Sequence, residues 1–350
     1  MRTDSGTGTR AGAVRPRRSP AATRALLGLV LLFLPAVLGG CAATPGTPAA
    51  AQRPTVRVAA LKGPTAVGMV ALMAAQAAGT TATDDVFTVS ASPEEVAAKV
   101  ASGDVDIAAL PTNVAAVLYA RTGGAVRLLA VTTLGVLSIV EDGDSVHALS
   151  DLRGRTVYAT GQGANPEYVL RFLLRSNGLD PDADVHLVFK AQHEELATLV
   201  ANGTAGLALL PEPFVTTVTM KNPRVRVALD LTREWSATVT DGSRLMMGAV
   251  VVRSDFLERH PEAVDAFLRE YRASVAQATA DVEATARECE RFDIIPAAVA
   301  RAAIPRLNLT FLTGEEMAAG ARGYLRVLHD ADPASVGGAI PDSRFYVTGR

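Results

Sequence analysis

The stretch S-P-E-E-V-A-A-K-V-A-S-G-D-V-D-I-A-A-L-P-T-N (residues 92–113) recurs one hundred residues later as Q-H-E-E-L-A-T-L-V-A-N-G-T-A-G-L-A-L-L-P-E-P (residues 192–213). The two copies are identical at nine of twenty-two positions without a gap. Each copy predicts a short helix, a glycine stop, an apolar strand and a Leu-Pro break. A chain with two α/β units of one plan predicts two lobes that face each other across a cleft, and such clefts hold ligands.

Strands and helices alternate on both sides of the repeat. Near-continuous apolar runs predict strands whose two faces are covered by helices, as in a parallel sheet. The predicted strands of the first lobe are 55–61, 87–91, 105–110 and 126–132, and its helices are 65–78, 94–102 and 113–122. The second lobe follows the same order, with strands at 155–160 and 185–190, a helix at 166–177, and the repeated helix and strand at 194–210.

The predicted fold class is therefore α/β, with two mostly parallel sheets flanked by helices. Residues 136–140 and 245–253 are expected to be two strands that cross between the lobes and form a hinge. The remaining residues are mostly helical and are expected to return to the first lobe. The predicted boundaries are 1–40 for a signal peptide, 41–54 for a flexible tether, 55–134 for the first lobe, 135–253 for the second lobe and 254–350 for the return.

The start of the chain has the pattern of an export signal. Six arginines and one acid, Asp4, precede an uncharged apolar run at 25–38, which is too short for an ordinary transmembrane helix. The run ends in Leu38-Gly39-Gly40-Cys41, which resembles a bacterial lipobox. This resemblance implies that Cys41 receives a lipid, palmitate among its acyl chains. The protein is then expected to be exported and anchored on the outer face of the cytoplasmic membrane.

Charge and cysteine content exclude several classes of protein. Removing residues 1–40, with six arginines and one aspartate, leaves 28 basic and 35 acidic residues, a net charge of −7. A mildly acidic exported domain is a poor partner for nucleic acid. Cys289, the second of two cysteines, lies in an Ala-rich helical run and is expected to be a packed residue. No histidine falls in a metal-ligand spacing, and no nucleophile elbow or phosphate-binding loop is present, so we expect neither a cofactor nor an enzyme.

Polar residues follow the predicted strands, where ligands of open parallel sheets bind. The candidate ligand-binding residues are Lys62, Gly63, Thr65, Ser90, Ser92, Thr112, Asn113 and Thr133 in the first lobe, and Gly161, Gln162, Gly163, Asn165, Lys190 and Glu212 in the second.

Two of these loops predict specific contacts. Asn165 and Pro166 suit the N-cap and first position of a helix, whose free N–H groups attract an anion or a carbonyl, although a plain turn remains the alternative. Lys62 is expected to pair with an acidic ligand group or to be solvated. Glu212, held between two prolines, is expected to accept from an amino group, to pair with Lys62 across the closed cleft, or to lie in a surface turn.

Other residues have a structural interpretation. The acid pairs at 94–95 and 194–195 suit the first turn of a helix, where they favour its dipole, rather than acid–base chemistry. Trp235, the single tryptophan, is expected to pack in the core. His193 lies near the predicted cleft and is a further candidate for ligand contact, against a purely structural role.

Several phrases together resemble a known family. They are K-G-P-T (62–65), G-Q-G-A-N-P-E-Y-V-L (161–170), N-G-L-D-P (177–181), L-P-E-P-F (210–214) and the helix at 252–271. With the export signal and the two-lobed plan, they resemble a solute-binding protein of a bacterial ABC importer, in the group that binds nitrate, sulfonates, taurine and thiamine precursors. The resemblance implies ligand capture by hinge closure. It also implies delivery to a membrane permease and its ATPase. The repeat, the polar loops at the strand ends and the helix N-terminus at 165 predict that the ligand is a small polar organic solute, anionic or zwitterionic, and the protein is expected to be a monomer.

Two other classes stay open at this point. The same fold hosts enzymes, including a chorismate-dehydratase-like branch. A sensory lipoprotein that presents a bound ligand to a receptor is the other alternative. Turnover of a bound compound would indicate the enzyme, and a neighbouring permease gene would separate the importer from the sensor.

Overall fold

The strands form two sheets, seen in a computed structural model that describes residues 53–349. The predicted residue Cys41, the signal and most of the tether lie outside this range. The strands are Thr55–Leu61 (β1), Asp84–Ser90 (β2), Ile107–Pro111 (β3), Val126–Thr133 (β4), Leu137–Asp142 (β5), Thr156–Thr160 (β6), His186–Lys190 (β7), Leu207–Pro211 (β8), Val225–Asp230 (β9), Gly248–Arg253 (β10) and Leu309–Leu312 (β11).

Helices flank both sheets, so the predicted α/β fold class is confirmed. The α-helices are Pro64–Ala77 (α1), Pro93–Ser102 (α2), Thr112–Arg121 (α3), Asn165–Ser176 (α4), His193–Ala201 (α5), Phe214–Lys221 (α6), Leu231–Thr238 (α7), Ser254–Arg259 (α8), Pro261–Ala280 (α9), Val282–Arg291 (α10), Ala297–Ala303 (α11) and Gly314–Ala331 (α12).

The first sheet has the strand order β11-β4-β10-β3-β1-β2, and the second has the order β7-β6-β8-β5-β9. In the first sheet β1 runs parallel to β2 and β3, whereas β10 is antiparallel to β3 and β4. In the second sheet β6 runs parallel to β7 and β8, and β5 is antiparallel to β8 and β9. We call each sheet with the helices packed on it the first and the second lobe.

The sequence repeat is a structural repeat as well. Its two copies are α2 with β3 and α5 with β8, and each copy is a helix, a glycine and a buried strand. The Ser92 side chain caps α2 by accepting a hydrogen bond from the Glu95 N–H at 3.2 Å. Gly103 and Gly203 follow the two helices with φ of +86° and +73°, values that favour glycine because it lacks a Cβ.

The chain passes between the lobes in two short segments, residues 134–136 and 243–247, which we call the crossing segments. They meet the same strand end, since the Met247 N–H donates to the Thr133 carbonyl at 2.9 Å. The strands expected to cross do not themselves span both sheets. β5 pairs only within the second sheet, and β10 starts at Gly248 and pairs within the first, because each has antiparallel partners on both sides there.

One hydrophobic cluster continues through both lobes. It includes Leu128 of the first sheet and Leu209 of the second, and the buried Trp235, as its sequence context predicts. Trp235 packs against Phe172 of α4 and Tyr324 of α12, with ring centroids 5.0 and 5.5 Å apart. The C-terminal region therefore does more than return to the first lobe: β11 joins the first sheet, while α12 also packs on the second lobe.

Candidate ligand-binding cleft

A cavity of about 100 Å³ lies between the lobes, where strands of both sheets end. Its walls are mostly apolar, and both lobes contribute to them. The lining residues are Leu61, Lys62, Gly63, Pro64, Thr65, Pro111, Thr133, Val136, Leu137, Asn165, Pro166, His193, Pro211, Glu212, Phe214, Met247 and Gly248.

Lys62 places a cation on the first-lobe wall. Its backbone N–H donates to the Ser90 carbonyl at 2.9 Å, which fixes the end of β1 against β2. The ammonium lies 3.7 Å from the carboxylate of Asp293, in the loop after α10. Gly63 follows with φ of +126°, a backbone conformation that suits glycine, and leads directly into α1. Lys62 thus lines the cavity beside the N-terminus of α1, and its ammonium lies near Asp293.

Thr133 places a hydroxyl on the same wall. Its side chain is 2% exposed, and its Oγ1 has no hydrogen-bond partner among residues 53–349. Gly248 lies against it: a Cβ built on Gly248 would be 3.0 Å from Thr133 Oγ1 and from Thr65 Cγ2. Because a glycine stands at this position, the wall around Thr133 packs closely with little room for a larger side chain.

His193 and Phe214 form the second-lobe wall. Their rings lie 5.0 Å apart, and the Thr160 hydroxyl meets His193 Nδ1 at 2.5 Å. Burial lowers the pKa of His193 to about 4, so the imidazole is neutral at physiological pH. With Nδ1 engaged by Thr160, Nε2 remains as the nitrogen that can meet a ligand.

Glu212 is a buried carboxylate on this wall, 5% exposed. Its Oε2 accepts a hydrogen bond from the Thr216 N–H at 3.0 Å, in the first turn of α6. Its Oε1 lies 4.0 Å from the guanidinium of Arg306. Burial raises the pKa of Glu212, against the opposing effects of Thr216 and Arg306. Such a carboxylate has unused capacity to accept from a donor in the cavity.

Helix N-termini also face the cavity. Lining residues stand in the first turns of α1, α4, α5 and α6. The N-terminus of a helix carries partial positive charge and free N–H groups, which favour an anionic group nearby. The cavity therefore favours an anionic group on a ligand at the helix N-termini. It also presents one buried carboxylate, Glu212, that can accept a hydrogen bond from a donor group on the ligand.

Asn165 has a different role from the predicted one. The residue that precedes α4 is Ala164, and the Asn165 side chain makes no capping bond. Its Oδ1 instead accepts from the Asn113 N–H at 3.3 Å and the Tyr324 hydroxyl at 3.0 Å, and its Nδ2 donates to the Met247 carbonyl at 2.7 Å. The Asn165 side chain makes these bonds rather than a capping bond, because its partners meet it from the first lobe, α12 and a crossing segment.

Six of the fourteen predicted residues line the cavity, namely Lys62, Gly63, Thr65, Thr133, Asn165 and Glu212. Lys62 and Glu212 do not form the predicted ion pair, because Asp293 and Arg306 are their respective charged neighbours.

The other eight predicted residues lie elsewhere. Ser90 and Ser92 bond to the acids of α2, and Lys190 pairs with Glu195 at 3.5 Å. Thr112 and Asn113 are fully buried at the start of α3, where Asn113 Nδ2 donates to the Gly163 carbonyl. Gly161 shapes the turn before α4, and Gln162 and Gly163 border a separate groove along α2 and α3.

The apolar wall was not predicted. Phe214, Val136, Leu137 and Met247 carry no polar signal, although L-P-E-P-F already places Phe214 two residues after Glu212. Arg306 was also missed, since it comes from a segment 94 residues beyond Glu212.

The two-lobed α/β architecture with a cavity between the lobes agrees with the class of solute-binding proteins. The family described as "ABC transporter, phosphonate, periplasmic substrate-binding protein" matches residues 81–288. The chain belongs to this family, whose members bind solutes outside the cytoplasm for ABC importers. No curated protein matches the chain.

Solved structures agree with this fold. An ABC transporter structure from Parabacteroides distasonis is 24% identical, covers 85% of this chain and 99% of its own, and has a TM-score of 0.69. The alkanesulfonate-binding protein SsuA from Xanthomonas axonopodis pv. citri, bound to MOPS, is 13% identical over 84% and 96%, with a TM-score of 0.65. The nitrate-binding protein NrtA from Synechocystis is 13% identical over 84% and 91%, with a TM-score of 0.59.

Two absences apply to the described range. No helix within residues 53–349 is long and apolar enough to cross a membrane. In the same range, no group of three or more His, Cys, Asp or Glu side chains is arranged to hold a metal ion. Cys289 is buried, as expected, and burial raises the pKa of its thiol to about 12.

Proposed function

We propose that this protein captures a small zwitterionic solute, with an amino group and an acidic group, and delivers it to an ABC permease. The observation that carries the proposal is Glu212, a buried carboxylate that lines the cavity, with its charged neighbour Arg306 4.0 Å from Oε1. A buried carboxylate disfavours a purely anionic ligand by repulsion. An ammonium group on the ligand would supply both opposite charge and hydrogen-bond donors.

The opposite end of the solute is proposed to be acidic. Lys62 and the N-termini of α1 and α4 line the cavity and favour negative charge. His193 Nε2 offers a neutral hydrogen bond to either end. Sulfonate, phosphonate and carboxylate groups all fit this description, and the family and the compared proteins support the first two.

The cavity volume guides the choice of solutes to test. A dry cavity of about 150 Å³ accommodates benzene, so the volume here, about 100 Å³, suits a solute of about six heavy atoms or slightly fewer. Aminomethylphosphonate, aminomethanesulfonate and glycine are of this size. Each has a matched analogue in which a methyl group replaces the ammonium: ethylphosphonate, ethanesulfonate and propionate.

The test is a thermal-unfolding screen of the full chain, purified in detergent, with these three matched pairs. A ligand at about one hundred times its Kd stabilises the folded state by roughly 2.7 kcal/mol, a shift of several degrees in a chain of this size. We expect a shift with at least one amino compound and a much smaller shift with its methyl analogue. Equal shifts within every pair would contradict the role of Glu212, and no shift with any compound would contradict the proposed solute class.

Glu212→Gln provides the residue-level test, because glutamine keeps the shape and the acceptor for Thr216 but not the charge. We expect this variant to lose most of the preference for the amino compound. Glu195→Gln is the matched control, since Glu195 pairs with Lys190 on the surface of the same lobe. Recovery of the bound compound unchanged would support a binding protein. Its conversion into another compound would instead support the enzyme hypothesis.

We also propose how the protein is attached and moves. Cys41 is proposed to carry the lipid anchor, the folded part is proposed to be a monomer, and the lobes are proposed to close by bending at the crossing segments. Metabolic labelling with a palmitate analogue tests the anchor: label is expected on the wild-type chain and not on Cys41→Ala. Equal labelling of the two would place the lipid elsewhere.

A further inference from the structure

Arg306 joins the two lobes at the edge of the cleft. It ends a short 3-10 helix, Ile304–Arg306, that leads into β11 of the first sheet. Its Nη1 donates to Thr216 Oγ1 at 3.2 Å and lies 4.0 Å from Glu212 Oε1, and both acceptors belong to the second lobe. The preceding helix α11 also packs against α6. Separation of the lobes would break the bond to Thr216.

Asn308, two residues further, holds a crossing segment. Its Nδ2 donates to the Gly135 carbonyl at 2.5 Å, and its own carbonyl accepts from the Leu134 N–H at 3.1 Å. Asn308 has φ of +45°, in the left-handed region that asparagine tolerates better than most residues. One three-residue stretch, 306–308, therefore contacts both the cleft and the segment about which the lobes would bend.

We propose that residues 306–308 form a clasp that couples closure of the cleft at Glu212 to the conformation of the crossing segment 134–136. In this proposal Arg306 is a positioning residue: it fixes α6, and with it the Glu212 carboxylate, relative to the first lobe. The inference rests on the proposed function only in that closure belongs to solute capture, and it requires no particular solute.

The charges around Glu212 agree with this assignment. Lys62 and His193 line the same cavity as Glu212, Asp293 lies 3.7 Å from Lys62, and Arg306 lies 4.0 Å from the Glu212 carboxylate. Its positive charge opposes the effect of burial on the pKa of Glu212. Closure therefore brings the cation to the carboxylate that would receive the ammonium group, and it supports the ionised form there.

The test is hydrogen exchange followed by mass spectrometry on the full chain in detergent, without added solute. Arg306→Ala is compared with Arg301→Ala, a control whose guanidinium pairs with Glu283 within the first lobe. We expect peptides over 212–220 and over 131–137 to exchange roughly tenfold faster in Arg306→Ala, as for loss of one hydrogen bond to a charged group. Arg301→Ala should leave both regions at the wild-type rate.

Two further variants keep the result interpretable. Asn308→Gly keeps the left-handed backbone and removes the bond to Gly135, so it should also speed exchange in both regions. Arg306→Lys should restore part of the protection, because it keeps the charge and a donor. The clasp is overturned if neither region responds to Arg306→Ala beyond the control, or if each variant affects only the region that it touches. Because no solute is used, these outcomes are independent of the solute screen.

Discussion

Asp85 offers a quantitative test of how burial controls a charge in this fold. It lies in β2 and is 4% exposed. Its Oδ1 accepts from the Thr83 hydroxyl at 2.6 Å, while Oδ2 has no partner in the described part of the chain. Burial raises the pKa of Asp85 to about 6, against the Thr83 bond and with smaller additions from the charges of Glu270 and Asp84.

The sign of the pH dependence follows from the raised pKa. The folded state holds this proton more tightly than the unfolded state, so the stabilising contribution is complete below about pH 4 and is lost as pH rises through about 6. A difference of about two pKa units corresponds to about 3 kcal/mol of lost stability at pH 8 and less than about 1 kcal/mol at pH 4.

Asp85→Asn removes the charge and keeps an acceptor for Thr83. We expect it to raise the free energy of unfolding by about 3 kcal/mol at pH 8, roughly 5 °C in Tm, and by less than about 1 kcal/mol at pH 4. Urea unfolding followed by circular dichroism and by Trp235 fluorescence measures both values.

Asp84→Asn is the matched control, because Asp84 is the adjacent exposed carboxylate. It should change stability little at either pH. An equal gain at pH 4 and pH 8 for Asp85→Asn would show that shape or packing, not charge, is responsible. A loss of stability at pH 8 would refute the reasoning altogether.

Three further changes test other parts of the structure. Gly248→Ala should abolish the solute-induced thermal shift and destabilise the fold by about 1–3 kcal/mol, because its Cβ would lie 3.0 Å from Thr133. A normal thermal shift would show that the cavity wall moves to accommodate the methyl group. Asn165→Ala should lower the free energy of unfolding by about 2–4 kcal/mol in urea titrations, because it leaves buried partners unpaired, and a cost below about 1 kcal/mol would contradict this. Cys289 should resist iodoacetamide in the native protein at pH 8, as read by mass spectrometry of its peptide, and rapid alkylation would indicate local opening.

Local pattern predicted most elements of this fold. The strand at 55–61 was predicted with its observed bounds, and the repeat located α2, β3, α5 and β8. Strand pairing was not predictable in the same way. β10 lies between β3 and β4 although the whole second lobe separates it from them in the chain, and no local signal encodes that neighbour relation.

The candidate site was predictable where strand ends determine it. Lys62, Thr133 and Glu212 follow or end strands, and the structure brings them to one cavity. Asn165 shows the limit of such reasoning: its position before Pro166 is typical of an N-cap, but its side chain bonds to partners from three distant parts of the chain. Those partners depend on tertiary packing and leave no trace in the local sequence.

The position of β10 also constrains the order in which the chain can fold. All strands of the second sheet lie between residues 137 and 230, so that sheet is contiguous in the chain. The first sheet begins at residue 55, yet its centre stays open until β10 at residue 248 is available, and its edge until β11. Non-local pairing of this kind is slow because a long loop must close first. During synthesis the second sheet can therefore form before the first. β3 and β4 each keep an unpaired edge until β10 is available.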